Sequence, residues 1–191
     1  MKKLLVIISA AIMSLSITSA SNADNWGVGV TAALTELDTS GTQTLKDTGG
    51  TTSTSITEDV ALPELFVEYQ MDSGVAFGVS YIPVQELGSK SRTDTDIATA
   101  TNKASAELDN LFMFYLDYPI YENVYVKGGI QHTTIVTTEN LGTGSSYDDE
   151  DVLGYTLGLG VKGDLPYGNG LFYKAEVSYT DFDEYSDTST N

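Results

Sequence analysis

Seven stretches of this chain alternate residue by residue between an apolar face and a small or polar one. In the first, Trp26, Val28, Val30, Ala32 and Leu34 share one parity, and Gly27, Gly29, Thr31, Ala33 and Thr35 share the other. The pattern returns over 61–70, 75–81, 112–118, 124–131, 153–162 and 171–179. Side chains that change face at every residue belong to β-strands, so the chain reads as all-β. Helical periodicity is essentially absent after residue 23. The connections alternate as well. Polar loops are expected over 38–59, 86–105 and 137–151, rich in Thr, Ser and Gly, and short turns over 71–74, 119–123 and 166–170. Asn169-Gly170 is a strong hairpin signal. Long-short alternation is the pattern of an up-and-down barrel with long external loops and short turns on the opposite side.

The N-terminus bears on where such a barrel would reside. Lys2 and Lys3 precede an apolar run from Leu4 to Ile17, and small residues follow up to Ser21 and Ala23. That is the form of a cleaved export signal, which predicts a signal peptide over 1–23 and a mature barrel domain over 24–191. No second apolar run approaches the ~20 residues of a membrane helix, so only a closed barrel of strands could span a bilayer. Each apolar stripe suits a tilted strand of roughly 9 to 11 residues. With the N-terminus in the periplasm, Trp26, Tyr69, Tyr118 and Tyr173 fall at one end of the outward stripes. Tyr81, Phe112, Tyr155 and Tyr179 fall at the other. Two aromatic girdles around an aliphatic band match two water–lipid interfaces.

The inward parity carries Glu64, Glu68, Asp117 and Glu176 together with Lys127, Lys162 and Lys174. Charges in a narrow lumen must be paired, so these residues are expected to form an interior network. The interior of an eight-stranded barrel is just wide enough for side chains to fill, which favours a plug over a pore. Gly158, Gly160 and Gly163 spell G-x-G-x-x-G, the spacing of a dinucleotide loop, but Leu157, Leu159 and Val161 alternate through it and no helix pattern follows. A pyrophosphate site needs that helix N-terminus, so no cofactor is expected. With 27 Asp+Glu against 9 Lys+Arg, a net charge of −18, the chain is a poor nucleic-acid binder. It has no cysteines, so disulfides and thiolate metal sites are excluded.

The opening WGVGV, the segment FMFYLDYPIYENVYVKGGI and the segment VLGYTLGLGVKGDL together resemble the OmpA-like or opacity-protein-like small outer-membrane β-barrels of Gram-negative bacteria. The resemblance covers nearly all of the chain from Trp26 and implies an eight-stranded antiparallel transmembrane barrel in the outer membrane. Family members end in a strand closing on an aromatic residue, whereas this sequence shows seven strands and stops at Asn191. The closing C-terminal strand is therefore expected to be missing.

The chemistry open to such a barrel is limited. Some related barrels are lipid A hydrolases with a His-x-Ser pairing; here His132 is followed two residues on by Thr134, so no enzyme is expected. Asp148, Asp149, Glu150 and Asp151, with Glu58, Asp59, Asp183, Glu184 and Asp187, make the loops acidic without the spacing of a calcium loop, and no metal site is expected. The reading is a monomeric structural or surface-interaction barrel. Its partners are outer-membrane lipid and lipopolysaccharide, and its Thr/Ser-rich loops are placed for contact with external proteins or phage. Two alternatives stay open: a narrow ion or small-solute channel, and a soluble secreted lipocalin-like barrel that binds an apolar ligand.

Overall fold

The computed structural model describes residues 3–20, 25–44, 51–94, 100–140, 148–166, 171–183 and 185–188. The proposed cleavage site at Ser21 and Ala23, the Asn169-Gly170 turn and Glu184 lie outside them. The described residues form strands β1 (Lys3–Ala20), β2 (Trp26–Thr44), β3 (Thr51–Gln70), β4 (Ala76–Ile82), β5 (Gln85–Asp94), β6 (Ala100–Tyr121), β7 (Val124–Asn140), β8 (Glu150–Asp164), β9 (Leu171–Phe182) and β10 (Tyr185–Thr188). Strand β5 continues β4 past Pro83 and Val84, and β10 continues β9. The ten strands thus occupy eight positions in the wall. All pairings are antiparallel, and a β1–β9 pairing joins the two ends of the strand order into a ring.

One expectation, that of the long loops, is revised here. Between β9 and β2, at the position where a strand is expected to be missing, lies β1, which falls within the expected signal peptide. Its backbone pairs from Ala20↔Gly27 to Ile7↔Ser40 on one side and from Ser19↔Leu171 to Ser9↔Asp181 on the other. Two of the three long loops, over 38–59 and 86–105, are largely strand among the described residues. β2 and β3 stay in register out to Thr44↔Thr51, and β5 and β6 out to Asp94↔Ala100. β7 runs on to Asn140. Threonine favours strands because its branched Cβ suits a pleated surface, and a ribbon with water on both faces needs no apolar stripe.

The short turns over 71–74 and 119–123 stand as expected. Gly74 adopts φ 86° in the turn between β3 and β4, a conformation that only glycine takes readily, and its N–H bonds back to Met71. In β6 the register slips between Asp109 and Phe112, and Asn110 sits at φ 52°. This is a bulge, with an Asn where left-handed backbone is best tolerated. It lets Leu108 and Leu111 both face inward although their parities differ.

Candidate functional site: the filled interior

The faces sort as the alternation predicts. Val30, Phe114 and Leu157 point outward and are more than half exposed, while Glu68, Asp117 and Lys174 point inward and are almost wholly buried. A soluble barrel has the opposite arrangement, because its apolar side chains must meet each other inside. Trp26 and Tyr69 pack edge to face at 5.2 Å at the end of the short turns, and Tyr81 and Phe112 pack at 4.9 Å at the end of the long ribbons. Tyr118, Tyr155 and Tyr179 are exposed on the same outer surface, and Tyr173 is half-buried. Tyr121, also exposed, extends the turn-end girdle beyond the residues picked out from the sequence.

The interior is built in three layers. Nearest the short turns lies the charge network. The Lys174 ammonium bonds Glu68 Oε2 at 2.7 Å and Asp117 Oδ2 at 2.5 Å, and Lys127 bonds Glu176 Oε2 at 2.7 Å. Two phenols complete it: Tyr115 donates to Glu68 at 3.0 Å and Tyr125 to Glu176 at 2.9 Å. The cations also lie over aromatic rings, Lys127 at 4.2 Å from the Tyr115 centroid and Lys174 at 5.0 Å from that of Tyr125. Glu64 is half-buried and lines a small polar cavity shared with Tyr115, Tyr125, Lys127, Lys174 and Glu176. A buried charge is tolerated when its partners replace the lost water, and here each of Lys127, Lys174, Glu68 and Glu176 has at least one charged partner.

The expected lysine at position 162 is placed differently from the others. Lys162 faces Lys174 directly across the β8–β9 ladder, and its ammonium is buried without a hydrogen bond. Asp117 Oδ1 is likewise buried and unbonded. All seven charged residues picked out from the sequence therefore point into one lumen, but only five of them are joined by ion pairs among the described residues.

Sequence reading missed the two phenols as members of the network. Their signal is the glycine opposite each. A Cβ at Gly78 would overlap the Tyr115 ring, and one at Gly160 would overlap Tyr125. An inward glycine across the ladder from a lumen tyrosine is thus the mark of a ring lying over the neighbouring strand. Gly160 belongs to the G-x-G-x-x-G pattern, which runs through β8 between β7 and β9.

Above the charges is a layer of amide and hydroxyls. Gln131 Nε2 donates to Thr156 Oγ1 at 2.7 Å and to Thr180 Oγ1 at 3.1 Å, and the two threonines lie 2.8 Å apart. Toward the ribbons the interior turns apolar: Ala33, Leu62, Ile82, Leu108, Leu111, Ile135, Val152 and Phe182 form one buried cluster.

On the outer face, the Thr134 hydroxyl donates to Asp151 Oδ1 at 2.6 Å, and His132 Nε2 lies 3.9 Å from the same oxygen. The Thr134 hydroxyl therefore gives its proton to Asp151, not to the imidazole that would have to accept it in nucleophilic catalysis.

Residues 5–191 match the family described as outer membrane protein beta-barrel domain. The chain belongs to that family. It is a protein of the bacterial outer membrane. No curated protein matches the chain. Among solved structures it is similar to a loop L8 deletion mutant of OmpT, an outer membrane protein of Vibrio cholerae, at 15% identity and a TM-score of 0.27. The match covers 90% of this chain, which spans 62% of that one, and at this distance it adds nothing to the family assignment.

Proposed function

We infer that this outer-membrane barrel is filled and non-catalytic, and that it serves as a structural anchor presenting acidic, Thr/Ser-rich β-ribbons at the cell surface for interaction. The observation that carries this reading is the three-layered interior. A path for ions would have to cross a layer of buried aliphatic side chains and then a set of paired charges, and neither offers water a continuous column. The ribbons that would project beyond the membrane are paired strand, a scaffold on which recognition surfaces can be carried. The arrangement of His132, Thr134 and Asp151 supports the absence of acyl-transfer chemistry. We further read residues 1–23 as an export signal removed in the mature protein. Its removal would leave β2 and β9 as facing edges, and a closed barrel would then need another strand at that position.

The ribbons are tested by inserting a short epitope between Thr44 and Thr51 and labelling intact cells with its antibody. Labelling without permeabilisation is expected; labelling only after the outer membrane is broken would overturn the surface role.

A further inference from the structure

In the ribbons, two strands keep one edge each outside any ladder. β3 pairs with β4 from Gln70↔Ala76 to Leu65↔Tyr81 and no further, so Thr51–Ile56 are laddered to β2 alone. β5 is laddered to β6 alone, from Gln85 to Asp94. Among the described residues no ladder joins β3 to β5. Continued by two residues, the β3–β4 register would set Pro63 against Pro83, and neither proline has an N–H to give. With the Tyr81–Phe112 pair read as part of the outer girdle, Thr51–Ile56 stand beyond the bilayer, in water.

The two edges are not alike. An open edge templates pairing with another extended chain, and proteins guard such edges with bulges, prolines and charges, lysine above all. On β5 the register breaks between Glu86 and Gly88, and Lys90 and Arg92 follow. On β3 the stretch from Thr51 to Ile56 reads TTSTSI, without charge or proline, and its register with β2 is unbroken. Thr51, Thr52, Thr54 and Ile56 are β-branched, the type that suits a pleated ladder. The barrel end of this edge is acidic. Glu36 and Asp59 stand directly opposite each other in the β2–β3 ladder, and both are exposed. Like charges so placed repel. Glu58 adds a third acid to the sequence there, and neither β2 nor β3 contains a lysine or arginine. A cation that relieves the pair must come from outside the ribbon.

We propose that the Thr51–Ile56 edge of β3, with the Glu36–Asp59 pair at its base, is a strand-addition site for an extended basic segment of an external protein. The segment runs antiparallel to β3. Because β3 descends from Thr51 toward the barrel, the incoming strand begins at the acids and ends at the ribbon tip. Its lysine or arginine therefore lies at its N-terminal end, followed by uncharged β-branched residues that pass Lys90 and Arg92 of β5 without an ion pair. Backbone hydrogen bonds to β3 supply affinity, and the acidic pair sets the register. The proposal rests on the surface role given to the ribbons and adds which edge binds and what chemistry it takes.

The test uses the full chain folded in detergent micelles, folding being checked by the mobility shift between boiled and unboiled samples. The probe is a fluorescein-labelled peptide, Lys-Arg-Thr-Val-Thr-Val-Thr-Val, read by fluorescence anisotropy. Saturable binding is expected. Two further peptides carry N-methyl groups on one or the other alternating set of backbone nitrogens, which removes donors from one edge and leaves the charge unchanged. One of them should bind weaker by about tenfold or more, and the other should bind nearly as the parent does. Glu36→Lys with Asp59→Lys should abolish binding of the basic peptide, and a peptide that begins Glu-Asp should bind that variant instead. No saturable binding, or equal binding by the two methylated peptides, would overturn the proposal, the latter by showing a charge contact without a ladder. The chain has no cysteine, so Ile56→Cys with Lys90→Cys reports on the gap alone. A disulfide that forms completely in the free protein would show β5 closing on β3, and a dimer that the peptide does not dissociate would give the edge to a second copy; either overturns it. Surface labelling of the ribbon tip is read separately, so the strand-addition site and the surface role can fail independently.

Discussion

Lys174 reaches across the barrel to Glu68, 106 positions away in sequence, and holds its carboxylate at 2.7 Å while bonding Asp117 with the same ammonium. One cation thus neutralises two acids that come from different strands, β3 and β6. Removing it would leave both carboxylates buried and unpaired. Lys174→Met is expected to destabilise the barrel by about 3 to 5 kcal/mol, the range for breaking a buried ion pair. The triple variant that adds Glu68→Gln and Asp117→Asn should recover much of the loss. Urea unfolding in detergent micelles, followed by the gel mobility shift, measures both; equal stability of single and triple variants would show that the pairing is not what matters.

Gly160 makes room for the Tyr125 ring that bonds Glu176. Gly160→Ala overpacks that contact and is expected to lower stability by about 1 to 3 kcal/mol. Combining it with Tyr125→Leu should relieve the clash, so the double variant should fall short of the sum of the two singles. Strict additivity in the same unfolding assay would mean that the ring does not lie over the glycine.

Val30 sits midway along the outward stripe from Trp26 to Leu34 and is more than half exposed. Val30→Arg is expected to destabilise insertion by about 2 to 4 kcal/mol, as a charge at the bilayer midplane does. Folding into vesicles of defined lipid, titrated with denaturant, reads this directly. A neutral effect would place that stripe away from lipid.

The export-signal reading predicts that protein recovered from the outer membrane begins at Asp24. N-terminal sequencing decides it. A protein beginning at Met1 would instead make Lys3–Ala20 a permanent strand of the wall, as its pairing with β2 and β9 has it.

The transmembrane part of the fold was legible because lipid and lumen impose opposite demands on alternate residues. Parity alone placed Val30 outward and Glu68, Lys127 and Lys174 inward. The ribbons were not legible, because the sequence around Thr42 and Ser53 has no apolar stripe to count, although its backbone pairs. Leu111 escaped for a different reason: the bulge at Asn110 shifts the parity by one, and only the backbone reveals it. The partners chosen within the network were also beyond sequence. Parity gives a direction, but which acid Lys174 takes depends on the stagger of strands between β3 and β9.

That the lumen is filled is tested most directly by electrical recording of the purified full-length chain in planar bilayers. Insertion without stable conductance steps is predicted, since the aliphatic layer around Leu62, Ile135 and Phe182 closes the path above the ion pairs. Large, long-lived openings from protein shown to be folded by its mobility shift would contradict the account.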